Sequence, residues 1–229
     1  VMTVVEHDAH GVMADRFDLL VTGSDQVWNP LWLDEVPGFW DLYFLAFAGA
    51  RTRRVSYAAS FGHSGTATLT PTWREALAAR LAGMHAISVR EASGVGLVRE
   101  LCGREDAVHV VDPTLLLDRS HYDRIAGPVP GRRGFLFQFM LHGLEQDAAS
   151  ASAVVAGALG LEIAKCDARR SPIRGYALPS PPGWLARLRD AGFVVTNSFH
   201  ALVFCLIFHT PFLALLIGGK MGAMNTRIV

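Results

Sequence analysis

The stretch Phe193-Val-Val-Thr-Asn-Ser-Phe-His-Ala-Leu-Val-Phe-Cys-Leu-Ile-Phe-His-Thr-Pro-Phe-Leu-Ala-Leu-Leu-Ile217 decides the fold. From Phe199 onward it is almost continuously apolar and of about membrane-spanning length. His209 and Pro211 interrupt it. The simpler reading is a strand over Phe193–Thr196, a buried helix over Ala201–Phe208 and a buried strand over Phe212–Ile217. The polar residues Asn197, Ser198 and His200 then sit where the strand hands over to the helix.

The same rhythm runs outward through the chain. Strands are expected at Phe17–Thr22, Arg54–Ser60, His85–Val89, Ala107–Val111, Gly134–Met140 and Leu161–Lys165. Helices are expected at Thr72–Gly83, where Trp73, Leu77 and Leu81 recur every four residues, and at Glu91–Leu101, Glu145–Leu159 and Pro182–Ala191. Alternation of this kind argues for a parallel sheet with helices on both faces. Asp112 to Arg133 holds prolines and glycines but no long periodic segment, so it reads as the boundary. The expectation is α/β: two doubly wound lobes, residues 1–118 and 119–229.

The chain has 229 residues, of which 51% are apolar and 18% charged. About 25% charged is usual for a soluble domain. This composition rules out intrinsic disorder, a disulfide miniprotein and a fibre. Basic and acidic residues balance at 21 each, so no net field steers the chain to nucleic acid. Lys165 and Lys220 are the only lysines. The three cysteines, Cys102, Cys166 and Cys205, are widely spaced, which argues against a disulfide framework or a zinc site and fits a reducing compartment.

Ligands of open α/β sheets bind beyond the carboxyl ends of strands. Five places qualify: Thr22–Asn29, Ser60–His63, Arg90 with Glu91, Asp112–Thr114, and Asn197–His200. In the first, Ser24, Asp25, Gln26 and Asn29 bring hydroxyl, carboxylate and amide groups to one small volume; an ordinary helix cap at Ser24 or Asp25 is the alternative. Arg90 can bind a carboxylate or phosphate bidentately, or simply pair with Glu91 or another carboxylate. His200 can serve as a proton donor or acceptor if its neighbours hold its tautomer. No nucleophile-elbow, P-loop, zinc-protease or dinucleotide fingerprint is present.

Together these segments resemble the polysaccharide pyruvyltransferase family. The resemblance is carried by Asp18-Leu-Leu-Val-Thr-Gly-Ser-Asp-Gln-Val-Trp-Asn29, Tyr57-Ala-Ala-Ser-Phe-Gly62, Ile87-Ser-Val-Arg-Glu-Ala-Ser93, Val111-Asp-Pro-Thr-Leu-Leu-Leu117, Val194-Val-Thr-Asn-Ser-Phe-His200 with Pro211-Phe212, and Asn225-Thr-Arg-Ile228. It implies two Rossmann-like lobes in a GT-B-like arrangement. It also implies transfer of a pyruvyl group from phosphoenolpyruvate to a sugar of a polysaccharide or its precursor, giving a pyruvate ketal. The implied work is cytoplasmic exopolysaccharide or cell-envelope synthesis on a glycan or lipid-linked saccharide, with peripheral contact at the inner membrane face. No cofactor or metal is expected beyond the donor substrate.

By the same resemblance the cleft histidine is His200 and the donor-binding arginine is Arg90. Asp25 or Glu91 is the expected acid toward carbon. Ser24, Gln26, Asn29, Asn197, Ser198 and Arg227 are expected to line the substrates. The sequence departs from the family at Ala201, where glycine is usual, and at Ser198, where some members carry arginine; Arg227 is the substitute candidate. Residues 1–17 are too short for the strand, glycine-containing loop and helix with which members begin, so the first lobe is expected to be incomplete. The alternatives are a GT-B glycosyltransferase using a nucleotide sugar, and a truncated non-catalytic relative.

Overall fold

The structure is a computed structural model. It describes residues 17–128, 134–141, 144–167 and 179–218. Chain contacts divide it into two compact units, Val1–Pro113 and Thr114–Val229.

The first unit contains strands β1 (Leu19–Thr22), β2 (Arg53–Ser56), β3 (Ser88–Val89) and β4 (Val108–His109). Its helices are α1 (Pro30–Leu33), α2 (Phe39–Tyr43), α3 (Pro71–Ala82) and α4 (Ala92–Cys102). β1 pairs with β2 and β3 with β4, all parallel. Parallel bridges from Val55 to Ala86 and from Ala59 to Val89 join the two pairs in sequential order. The helices and strands share one core, with Trp28, Phe44, Leu77, Leu81, Val89 and Val98 fully buried. On β1, Leu19 and Val21 alternate outward and stay 45% and 55% exposed.

Two expectations change here. A doubly wound sheet needs strands running both ways from a central one. The described strands of this unit instead follow one another in a single direction. The strand expected over Arg54–Ser60 is regular only to Ser56; Ala58 then takes a left-handed backbone (φ 52°), and a single parallel bridge resumes at Ala59.

The second unit contains α5 (Arg119–Ile125), β5 (Leu136–Met140), α6 (Glu145–Leu159), β6 (Ile163–Asp167), α7 (Pro181–Asp190), β7 (Phe193–Thr196), α8 (Phe199–Phe208) and β8 (Phe212–Ala214). The parallel sheet runs β6-β5-β7-β8, so the chain winds both ways from β5. Leu136 and Val195 pack with Ala156 of α6 on one face. Phe137 and Val194 pack with Leu185, Leu188, Phe204 and Phe208 of α7 and α8 on the other. Helices therefore cover both faces, as an all-parallel sheet requires.

The apolar run that opened the sequence is α8, a left-handed stop at His209 (φ 58°) and then β8. No helix among the described residues is long and apolar enough to cross a membrane. Cys205 lies buried in α8, where desolvation pushes its thiol up to about 12. The segment read as a non-periodic boundary contains α5, which the Asp118 side chain caps by accepting from Ser120 N. Residues 129–133 of that segment lie outside the described residues.

Candidate active site

In the first unit the strand ends converge on Arg90. Its guanidinium is buried, 3% exposed, and surrounded by carboxylates. Nη1 donates to Asp112 Oδ2 at 3.0 Å, Nε to Glu91 Oε1 at 3.2 Å, and Nη2 to Asp25 Oδ1 at 3.4 Å. Asp112 and Glu91 are buried with it, at 1% and 7%, whereas the Asp25 side chain is 66% exposed. Ser24 Oγ donates to Asp112 Oδ2 at 2.7 Å, and Ser60 Oγ to Glu91 Oε1 at 2.8 Å. Four strand-end loops thus meet in one hydrogen-bonded group, which among the described residues brings three carboxylates to one guanidinium.

This geometry alters the expected roles. Arg90 makes the carboxylate pairing that was its alternative reading, and makes it three times over. Glu91 Oε1 accepts from both Arg90 and Ser60, so that oxygen is engaged within the group. Asp25 is the member of the group that faces solvent. It holds a left-handed backbone (φ 62°), a conformation aspartate tolerates better than most residues.

Gln26 and Asn29 belong to the loop's own framework. Asn29 Nδ2 donates to Gln26 Oε1 at 2.6 Å, and Trp32 Nε1 donates to the same oxygen at 2.9 Å. Asn29 Oδ1 accepts from Leu31 N and caps α1, so the cap falls at neither Ser24 nor Asp25. Gly62 (φ 71°) closes over this pair: a Cβ there would stand 2.4 Å from Asn29 Nδ2 and 2.5 Å from Gln26 Oε1. Asn29, 2% exposed with both ends of its amide engaged, positions the loop.

Asp112, Ser60 and His63 had no assigned role in the sequence reading. Asp112 had a signal, since it opens Asp112-Pro-Thr114 after a strand, and Ser60 and His63 flank another strand-end loop. His63 Nδ1 donates to Gly65 O at 3.0 Å, which fixes Nε2 as the bare nitrogen. Nε2 is buried and has no hydrogen-bond partner. Burial holds the ring below the usual histidine range; the Gly65 bond and the charge of Glu91 partly offset it. Among the described residues no group of three or more His, Cys, Asp or Glu side chains could hold a metal ion.

In the second unit, Asn197, Ser198 and His200 follow β7. The strand order reverses between β5 and β7, which is where α/β sheets bind ligands. Asn197 is 3% exposed, and its Oδ1 accepts from Leu141 N at 2.8 Å, tying the ends of β7 and β5 together across that point. Ser198 Oγ accepts from Ala201 N and caps α8. His200 is half-buried in the first turn of the helix. Arg227 lies outside the described residues.

No curated protein matches the chain. A family model described as polysaccharide pyruvyl transferase matches residues 10–218, a span that takes in both the Arg90 group and the His200 turn. With nearly the whole chain matched, this protein belongs to the polysaccharide pyruvyl transferase family.

Proposed function

We propose that the chain transfers a pyruvyl group from phosphoenolpyruvate to two hydroxyls of one sugar in a polysaccharide or its precursor. The family match over residues 10–218 carries this reading. In the balanced reaction the methylene carbon of the donor gains a proton and becomes a methyl group. Its neighbouring carbon forms two C–O bonds to the sugar and loses its bond to phosphate. Of the two hydroxyl protons, one is matched by the methyl group and the other leaves on phosphate.

His200 is the proposed proton-transfer group. It is half-buried at the turning point of a parallel sheet, with Asn197 and Ser198 fixing the backbone on which it stands. The Arg90 group is proposed to receive sugar hydroxyls rather than the donor. Three carboxylates around one guanidinium repel a polyanion, yet they suit neutral O–H donors. Asp25 is the exposed acceptor in that group, while Glu91 and Asp112 hold the arginine.

The test is a paired assay with phosphoenolpyruvate and a soluble oligosaccharide acceptor. Phosphate and ketal should form one to one. His200→Ala should lower kcat by on the order of a hundredfold, and Asp25→Asn should raise the acceptor KM more than the donor KM. Release of a nucleotide from a sugar nucleotide, with no phosphate from phosphoenolpyruvate, would make the chain a glycosyltransferase and refute the proposal.

A further inference from the structure

At the opposite end of β2 from Ser60, where the strand begins, a cleft of about 380 Å³ opens between residues 46–54 and the turn of Gly83 and His85. Arg51, Arg53, Arg54 and His85 line it. Between them lie Ala46, Ala48, Gly49 and Ala50, whose short side chains leave the space open.

The Arg54 guanidinium is held in place by neutral acceptors. Nη2 donates to Gly83 O at 2.7 Å and Nη1 to Phe44 O at 3.5 Å. Gly83 makes this possible, because a Cβ there would come within 2.5 Å of Nη2. Both acceptors are carbonyls, so the charge of Arg54 is oriented without being neutralised. No carboxylate among the described residues forms an ion pair with Arg51, Arg53, Arg54 or His85. Three arginines line this cleft, and the guanidinium of Arg54 is fixed in it by carbonyls alone, which suits the charge and the planar, bidentate geometry that a phosphate group offers.

We propose that this cleft is a second anion site, separate from the transfer chemistry, which takes a phosphate group. The phosphate is borne either by a soluble compound or by a lipid headgroup, and one experiment distinguishes the two. The probes are inorganic pyrophosphate, followed by calorimetry, and phosphatidylglycerol vesicles against phosphatidylcholine vesicles, followed by co-sedimentation. At least one phosphate-bearing probe should bind saturably. Binding should weaken about fivefold or more in Arg51→Gln/Arg53→Gln, whose exposed positions leave folding intact. It should also weaken in Gly83→Ala, which displaces Arg54, and persist in His200→Ala.

Pyrophosphate binding without a vesicle preference would assign a soluble ligand. Selective retention on phosphatidylglycerol without pyrophosphate binding would assign a headgroup. The proposal is overturned if neither probe binds. It is also overturned if binding is lost in His200→Ala but not in the arginine variants, since the anion then sits at the transfer site. An equal loss in a charge-matched control, Arg99→Gln/Arg124→Gln, would show attraction to surface charge alone and would overturn it too.

Discussion

Arg90 holds apart carboxylates that would repel one another without it. Removing one partner of a buried ionic group leaves the rest desolvated and unpaired, at a cost of about 3–5 kcal/mol. Arg90→Met should therefore lower unfolding free energy in urea by that order, and a change under about 1 kcal/mol would mean the group is not coupled as described. Loss of activity in such a variant reports collapse of the whole group, so His200 and Asp25 are the better functional probes. His63 gives a pH signature. Burial depresses its folded value below 6.5, so the unfolded chain binds the extra proton first as pH falls. Its stabilising contribution is complete above pH 6.5 and declines below it, down to the folded value. In an NMR titration the His63 ring should show a midpoint below 6.5; a midpoint at or above 6.5 would contradict the buried, bare Nε2. Ser24, Asp25, Arg90 and Glu91 could be picked out from their places after apolar runs. Their mutual contact could not, because Asp112 and Ser60, which complete the group, lie 88 residues from Ser24 and 31 from Glu91 respectively.

Among the elements, α4 offers the sharpest contrast. Its pair Gly94 and Gly96 looks like the remnant of a phosphate loop and is not one. Gly94 lets the helix lie directly on β3, since a Cβ there would meet Val89 Cβ at 3.0 Å, while a Cβ on Gly96 would meet nothing within 4 Å. Gly96→Ala should then raise stability by about 0.5–1 kcal/mol through helix propensity, while Gly94→Ala should lower it. Thermal unfolding of the two variants checks both signs, and destabilisation by Gly96→Ala would be the failure. Three elements bounded by glycine or proline were readable to within a residue or two, whereas β8, expected to run from Phe212 to Ile217, ends at Ala214. Gly160 ends α6 where the periodicity stops, Gly192 precedes β7, and Pro181 opens α7. The helices α1, α2 and α5 were not readable, because none exceeds 7 residues and none completes two turns of apolar repetition. The caps of α1 and α5, Asn29 and Asp118, look like any other polar loop residue until the structure shows what they accept from.

For the whole molecule, charge balance and exposed apolar surface act together. The basic and acidic residues cancel, and the isoelectric point is near 7.3. Leu19 and Val21 of β1, and Phe17 just before it, remain exposed. Without net repulsion, such surfaces associate. Solubility in polyethylene glycol should therefore pass through a minimum near pH 7.3 and recover on both sides; a steady trend across that pH would show that charge does not govern it. The alternation of strands and helices was legible from hydrophobic periods alone. The direction in which each sheet winds was not, because strand order depends on which crossovers the helices take and not on any local pattern.

The left-handed backbone of Asp25 bears on how such a site can diverge. Asparagine is among the few other residues at ease in that conformation, and its codons differ from those of aspartate by a single base. One nucleotide change can therefore remove a formal negative charge at the solvent-facing rim while Arg90, Glu91 and Asp112 stay as they are. The outer residue is free to vary in this way, while the buried ones are bound to each other and can change only together.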